Sequence, residues 1–526
     1  MSPDTAGLHS ISVDNDSDHA QVRSDRVKGR TAIVAGAGFG GLAAALRLRA
    51  KGYDVQVIDR CGRLGGRAQV FEHLGFRHDA GPTVLTAPQL FEELFALFGK
   101  RFSDYVELVE PSPWYRFWFH DGETFDYGPT EEETEAEVAR LSPDDVEGYR
   151  RLGAWSKQIY DVGFTQLASA PFHSPLFMVR QIPHLLRLKF YESVWSMVSR
   201  HLKDDRLRRA FSIQPLLVGG NPFDTTAIYG MINHLERAHG IWFAKGGTGA
   251  VIDALEQLML EEGIKIELNT TIETIKIEGD HAGGVVTADG RHIESDLIVS
   301  NMDPVHVYRH MVPGKTQGLH ARLRSRKARL SMGLYVLYFG TTRNYPEVAH
   351  HTVWFSERYK ELLSDIFHRR VLADDFSLYV HRPTATDPSF APAGQDSFYV
   401  LCPVPNLSGG QDWSTEGPKL RDRIVAALGA TMLPGLEDVI TAEFAMTPED
   451  FKHDYLSVDG AGFSLSPLFS QSAWFRYHNR GEGLRNLFFV GAGTHPGAGL
   501  PGVISSAKVL DTLIPAVGTS ASQSTA

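Results

Sequence analysis

Cysteine is nearly absent from this chain. Of 526 residues only Cys61 and Cys402 carry a thiol, which excludes a disulfide scaffold and fits a reducing, cytoplasmic compartment. Long hydrophobic runs are missing too. The longest, "MGLYVLYF" over residues 332–339, falls well short of the ~18 residues a membrane-spanning helix needs. The N-terminal stretch lacks the basic-then-apolar order of a secretory leader. Residues 1–29 and 516–526 read as disordered tails. Positive charge is in deficit: 52 Lys and Arg stand against 63 Asp and Glu, a net charge of −11, which argues against nucleic acid as a partner.

Apolar residues make up 43% of the chain, enough for a sizeable core, and the length suits two to four domains. Organised structure is expected from Arg30 onward. Residues 31–35 read as a strand, 36–41 as a loop, 42–51 as a helix and 54–59 as a second strand, which is a βαβ unit. Residues 86–240 are aromatic-rich with helical periodicity. A helix over 250–262 and four or so short strands to Ser300 follow, and strand–loop–helix patterning returns at 487–513. The alternation predicts a discontinuous α/β domain built from 30–85, 241–303 and 486–515, with a second domain inserted as 86–240 and 304–485.

The loop "GAGFGG" places Gly36, Gly38 and Gly41 at G-x-G-x-x-G spacing. The first glycine permits the tight turn, the second lets backbone approach a pyrophosphate, and the third lets the helix pack on the strand. Amides at the helix start then face the phosphates. Asp59, 23 residues after Gly36, stands where an acid binds a ribose hydroxyl. The nucleotide could belong to NAD or FAD. Gly65, Gly66 and Arg67 in "RLGGRAQV", and Gly81, Pro82 and Thr83 in "FRHDAGPTVLT", are ordinary turns taken singly. Following a dinucleotide fingerprint, they favour FAD, a ligand that continues past the pyrophosphate. In "AKGGTGAVIDAL", Gly247 and Gly249 match, but Ile252 takes the third position and opposes close helix packing, so no second nicotinamide fold is expected.

Several stretches carry a family resemblance: "VAGAGFGGLAAALRL", "GGRAQV", "FRHDAGPT", "LLVGGNPFDTTAIY", "WFAKGGTGAVIDAL", "FYVLCPVPNL", "SAWFRYHNR" and "NLFFVGAGTHPGAGLPGVI". The chain resembles the bacterial and fungal type of phytoene desaturase, FAD-dependent carotenoid desaturases related to flavin amine oxidases. The resemblance implies a Rossmann-like FAD-binding domain of the glutathione-reductase/amine-oxidase type with an inserted α+β domain for substrate and membrane. It implies that Gly491 and Gly493 keep the C-terminal loop low over the flavin. A helix beginning near Gly502 and Val503 would aim its amides at the flavin N1–C2=O edge, and the backbone of Ile272 would hold the adenine. Quinone or oxygen would reoxidise the flavin. Association into a homo-oligomer is left open.

The implied reaction removes a hydride and a proton from neighbouring carbons of a long isoprenoid, so orientation and dryness matter more than a dedicated base. No catalytic residue stands out, and neither H-E-x-x-H nor G-x-S-x-G is present. His350 and His351 lack a spaced third ligand and read as structural, so no metal is expected. The stretch 176–211 carries eight Lys or Arg against three acids within an acidic chain. It reads either as a basic amphipathic helix lying on a membrane surface or as a core helix with a solvated face. Rival functions are a desaturase or ketolase of later carotenoids, and a non-enzymatic isoprenoid escort on the same fold.

Overall fold

The computed structural model describes residues 30–518 except 166, 169, 173 and 174. The expected tail 1–29 lies outside the described residues, as does 519–526 of the expected tail 516–526; within 516–518 the Val517 amide donates to Lys51 O at 2.9 Å. A five-stranded sheet forms the nucleotide-type core. Its strands run, in spatial order, Lys265–Glu267, Asp54–Ile58, Thr31–Ala35, Leu297–Ser300 and Leu487–Phe489. All four pairings are parallel. The inner strands are almost continuously apolar because both faces are covered. Helices Phe39–Ala50, Gly247–Glu261 and Leu500–Leu513 cover one face through Leu42, Leu46, Leu255, Leu258, Ile504 and Leu510. The antiparallel strands Ile272–Glu278 and His281–Thr287 cover the other through Ile275 and Val285.

The first and last helices pack side by side, pinned by charge. Arg47, whose side chain is 2% exposed, bonds Asp511 at 2.5 Å and Glu93 at 3.0 Å, and Lys508 reaches Glu93 at 2.8 Å. Removing one member of such a buried pair strands the other charge, so the cluster locks the chain ends together.

A second, seven-stranded sheet runs Ile440–Met446, Gly333–Thr341, Asp396–Val404, Leu378–His381, His351–Trp354, Tyr115–Trp118, Thr124–Tyr127. The segments "GLYVLYFGT" and "DSFYVLCPV" pair antiparallel at its centre, and the first is buried throughout. Helices Val146–Gly163, Asp205–Phe211 and Met231–His239 pack on this sheet's aromatic face.

Some boundaries differ from the sequence reading. The middle helix starts at Gly247 rather than 250, because Gly246 takes a left-handed φ of +84° as its cap. The C-terminal helix starts at Leu500, two residues before Gly502. Five strands, not four, precede Ser300. The stretch 176–211 forms three helices, Pro175–Arg187, Val194–Ser199 and Asp205–Phe211, the last two capped by the Ser193 and Asp204 side chains.

Gly41 is required sterically: a Cβ there would lie 1.9 Å from the Gly36 carbonyl oxygen. Gly153, inside Val146–Gly163, would meet nothing within 4 Å. Gly41→Ala should therefore lower stability by ~1–3 kcal/mol, whereas Gly153→Ala should raise it by ~0.5–1 kcal/mol. Thermal unfolding of both variants checks the contrast.

Candidate active site

All five parallel strands point their carboxyl ends to one edge, and the connections leaving that edge build the site. Gly36, at φ +100°, turns the chain out of the first strand while its amide donates to Ile58 O at 2.9 Å. Asp59 ends the second strand. Its two carboxylate oxygens accept from the amides of Ala37 (2.5 Å) and Cys61 (2.7 Å), which stiffens the loop it faces. Asn301 leaves the strand Leu297–Ser300, its amide bonded to Ala35 O at 2.8 Å. Gly491, at φ +94°, leaves the last strand, and its amide donates to Ser506 Oγ at 2.8 Å.

Asn301 explains why two glycine loops are needed. A Cβ on Gly38 would come within 2.9 Å of its Nδ2, and one on Gly40 or Gly491 within 2.5 Å of its Oδ1. The N-terminal and C-terminal loops thus close against the same side chain. Sequence reasoning missed this residue, because an asparagine after "LIVS" carries no signal until four strand ends are brought together.

One continuous cavity of about 570 Å³ opens between the loops. Every site residue singled out from the sequence lines it except Gly41, which sits behind the turn. The lining fits a dinucleotide. Glycine backbone forms the cradle, Asp59 and Ile272 stand on the wall, and Arg67 presents a guanidinium held by Ser457 Oγ at 2.5 Å and Ala461 O at 3.5 Å. No carboxylate pairs with Arg67 among the described residues. Burial lowers its pKa, so an anion beside it is favoured. Gly81 is also fixed by this residue, since a Cβ there would lie 1.9 Å from Arg67 O. Behind the C-terminal loop, buried Arg476 holds Ala492 O at 2.5 Å.

Beyond the glycine loops the wall is apolar and aromatic, with few polar groups. Thr83 Oγ1 lies 2.6 Å from Tyr379 Oη, which lies 2.7 Å from His351 Nδ1. Glu236 sits 3.5 Å from Tyr115 Oη with Oε2 unpartnered, and burial pushes its carboxyl up to about 8. The third-ligand argument about the histidines is corrected. Pairing of His351–Trp354 with Leu378–His381 sets His381 opposite His351, and His350, His351 and His381 form one buried cluster. In the basic stretch 176–211, the arginines of the helix Asp205–Phe211 have partners within the protein. Arg206 pairs with Asp204 at 2.8 Å, Arg209 with Asp205 at 2.7 Å and with Ser356 O, and Arg208 bonds Leu202 O.

A parallel nucleotide-binding sheet with two glycine loops closing on one largely apolar cavity defines a flavin-dependent oxidoreductase. The profile of the flavin containing amine oxidoreductases matches residues 39–509. The chain is 46% identical over 484 residues to a lycopene-forming phytoene desaturase from Pseudescherichia vulneris, covering 92% of this chain and 98% of that one. It is 43% identical over 490 residues to a neurosporene-forming phytoene desaturase from Rhodobacter capsulatus, covering 92% and 94%. An oxidoreductase from Methanosarcina mazei shares the fold at a TM-score of 0.63 and 17% identity, over 91% of this chain and 99% of that one. The chain belongs to the flavin-containing amine oxidoreductase family, among its phytoene desaturases, and its cofactor is FAD.

Glu236 gives a pH signature. The unfolded chain loses this proton near pH 4.5, whereas the folded carboxyl keeps it to about 8. Its contribution therefore lowers stability progressively between those values, and the full cost is reached above pH 8. Glu236→Gln should flatten the fall in Tm between pH 5 and pH 9 by several degrees. Parallel Tm–pH curves for variant and parent would contradict this.

Proposed function

We propose that the protein desaturates phytoene to more conjugated carotenes, neurosporene or lycopene, with the flavin as hydride acceptor. The observation that carries this reading is the cavity: dinucleotide-type walls continue without a break into an aromatic, largely apolar chamber. In functional terms 30–85, 241–303 and 486–515 form the cofactor domain, and 86–240 with 304–485 the substrate domain. Asp59, Arg67, Ile272 and the glycines at 36, 38, 66, 81, 491, 493 and 502 hold the cofactor, with Pro82, Thr83 and Val503 beside its ring. Bound FAD supplies the acceptor for one hydride.

The chain's own residues orient and dry the substrate. Leu334, Leu401, Phe355 and Phe463 offer apolar walls that an extended polyene can fill. Tyr115, Tyr379 and Tyr399 expose aromatic rings to the same space. Positive charge that develops along a conjugated chain is stabilised by such faces and by exclusion of water. Glu236 and Tyr115 stay protonated by burial, so they place no competing negative charge on the hydrocarbon.

Among the described residues no helix is long and apolar enough to cross a membrane. The protein meets the lipid surface through helix Pro175–Arg187. One side of it, with Met178 and Leu185, lines the cavity. The adjoining edge of the same apolar face exposes Val179 (57%), Ile182 and Leu186 (51%), continued by Tyr191 and Phe469. The Phe190 and Phe469 rings, tilted by 40° with centroids 4.6 Å apart, also line the cavity. One broad apolar face that both lines the cavity and reaches the surface suits a mouth through which a lipid-dissolved substrate, and a quinone to reoxidise the flavin, enter directly.

Two experiments test this reading. Anaerobic FAD-loaded protein mixed with phytoene liposomes should bleach its flavin, and added quinone should restore the colour without NAD(P). Turnover strictly dependent on NAD(P), with no bleaching, would contradict it. Separately, a Val179→Ser, Ile182→Ser, Leu186→Ser triple variant should co-sediment with liposomes several-fold more weakly at unchanged flavin content, and unaltered binding would move the membrane face elsewhere.

A further inference from the structure

The histidine cluster is used neither by the cofactor cradle nor by the hydrocarbon walls. It is also not a random core feature. His350, His351 and His381 are 3%, 0% and 1% exposed. Their rings meet at centroid distances of 4.4, 4.8 and 5.2 Å. Nε2 of His350, Nε2 of His351 and both nitrogens of His381 have no hydrogen-bond partner. Leaving four such atoms unsatisfied in a core is expensive, so their retention calls for a role.

The cluster lies between two hydrogen-bonded leads. On one side His351 Nδ1 joins Tyr379 Oη at 2.7 Å, and Tyr379 joins Thr83 Oγ1 at 2.6 Å, with Tyr379 and Thr83 both on the cavity wall. On the other, His350 Nδ1 joins Thr386 Oγ1 at 2.6 Å, and Thr386 is partly exposed beside exposed Ala385. One ring nitrogen of each residue lies within 4.8 Å of those of the other two. At that upper limit the centre of the triangle is about 2.8 Å from each corner, which is hydrogen-bonding distance. A metal at about 2.0–2.1 Å from each nitrogen would require them to close to roughly 3.3–3.6 Å. No carboxylate joins the cluster to offset a cation's charge. The geometry therefore suits a water with three polar partners better than a metal.

We propose that Thr83, Tyr379, His351 and His350 form a proton relay from the cavity to Thr386 at the surface, with His381 completing a three-imidazole pocket for one bridging water. The inference rests on the desaturation reading for its purpose. In each desaturation one C–H bond leaves as hydride, carrying two electrons to the cofactor. The neighbouring C–H bond leaves its electron pair behind as the new π bond, and its proton must bond to an oxygen on the cavity wall, where Thr83 and Tyr379 offer hydroxyls. Hydroxyl and imidazole groups each both donate and accept, so a chain of them passes a proton without holding a charge. Burial, reinforced by the neighbouring rings, keeps all three imidazoles neutral, with pKa values well below the usual histidine range, as a relay that returns to its resting state requires. Glu236 cannot easily serve instead at neutral pH, since its carboxyl already carries a proton.

The test separates relay from reaction. In resting FAD-loaded protein, solvent exchange of the His350 and His351 ring protons is measured by ¹⁵N-histidine NMR. Exchange should be fast for groups so deeply buried, at least tenfold slower in Thr386→Val, and restored in Thr386→Ser. Thr386→Val removes the partner of His350 Nδ1 and Thr386→Ser keeps it, so the serine variant and unchanged flavin content control for any disturbance of the buried cluster. Unchanged exchange in Thr386→Val overturns the relay, as does stoichiometric zinc or copper binding that His381→Leu abolishes. In single turnovers with phytoene liposomes, a pH-indicator dye should report proton release in step with flavin bleaching for the parent, and lagging at least tenfold in Thr386→Val and Tyr379→Phe. Synchronous release in both variants also overturns it. Failure of phytoene to bleach the parent's flavin would remove the desaturase reading, while the exchange experiment still decides the relay.

Discussion

The site depends on the fit of one asparagine between two glycine loops. Asn301 occupies the volume that side chains on Gly38, Gly40 and Gly491 would otherwise fill. The N-terminal turn, the end of the strand Leu297–Ser300 and the C-terminal loop therefore approach as backbone against a single amide. This close approach leaves the cavity walled by peptide groups and small residues, with room for a long ligand along the sheet edge. The ion pairs of Arg47 with Asp511 and Glu93 act on the same joint from behind, by holding the first and last helices in register.

Much of the cofactor side was legible in the sequence, because its rules are local. Gly36 needs a positive φ, Gly41 must admit the Gly36 carbonyl, and both requirements follow from spacing within one turn. The strand segments at the centre of the larger sheet were legible from their unbroken apolar character. What escaped depends on non-local register. His381 joins His351 only because two strands thirty residues apart pair antiparallel. Glu236 is singled out by burial against Tyr115, not by its own neighbours in sequence. For the basic stretch 176–211, composition counts charges and does not show their partners: Arg206 and Arg209 pair with local aspartates, and an exposed apolar surface lies on Pro175–Arg187 within the same stretch.

The two sides of the cavity follow opposite electrostatic logic. Near the glycine loops, Arg67 and free backbone amides offer positive potential to an anionic ligand. Deeper in, burial suppresses ionisation: carboxyl, phenol and imidazole groups are all held in their neutral forms. A neutral chamber of this kind accepts a hydrocarbon that water would reject, and any positive charge formed there meets only dipoles and ring faces. The division lets one chain bind a highly charged nucleotide and a wholly apolar substrate within one cavity.

The placement of the last strand has a consequence for how the protein is made. Leu487–Phe489 forms the edge of the parallel sheet, and Leu500–Leu513 covers it. These segments come after every other strand of that sheet in chain order. Until they join it the cradle lacks one wall, and the nascent polypeptide carries a large greasy groove with nothing to fill it. The cradle is therefore closed on all sides only when this last strand and helix have joined the sheet.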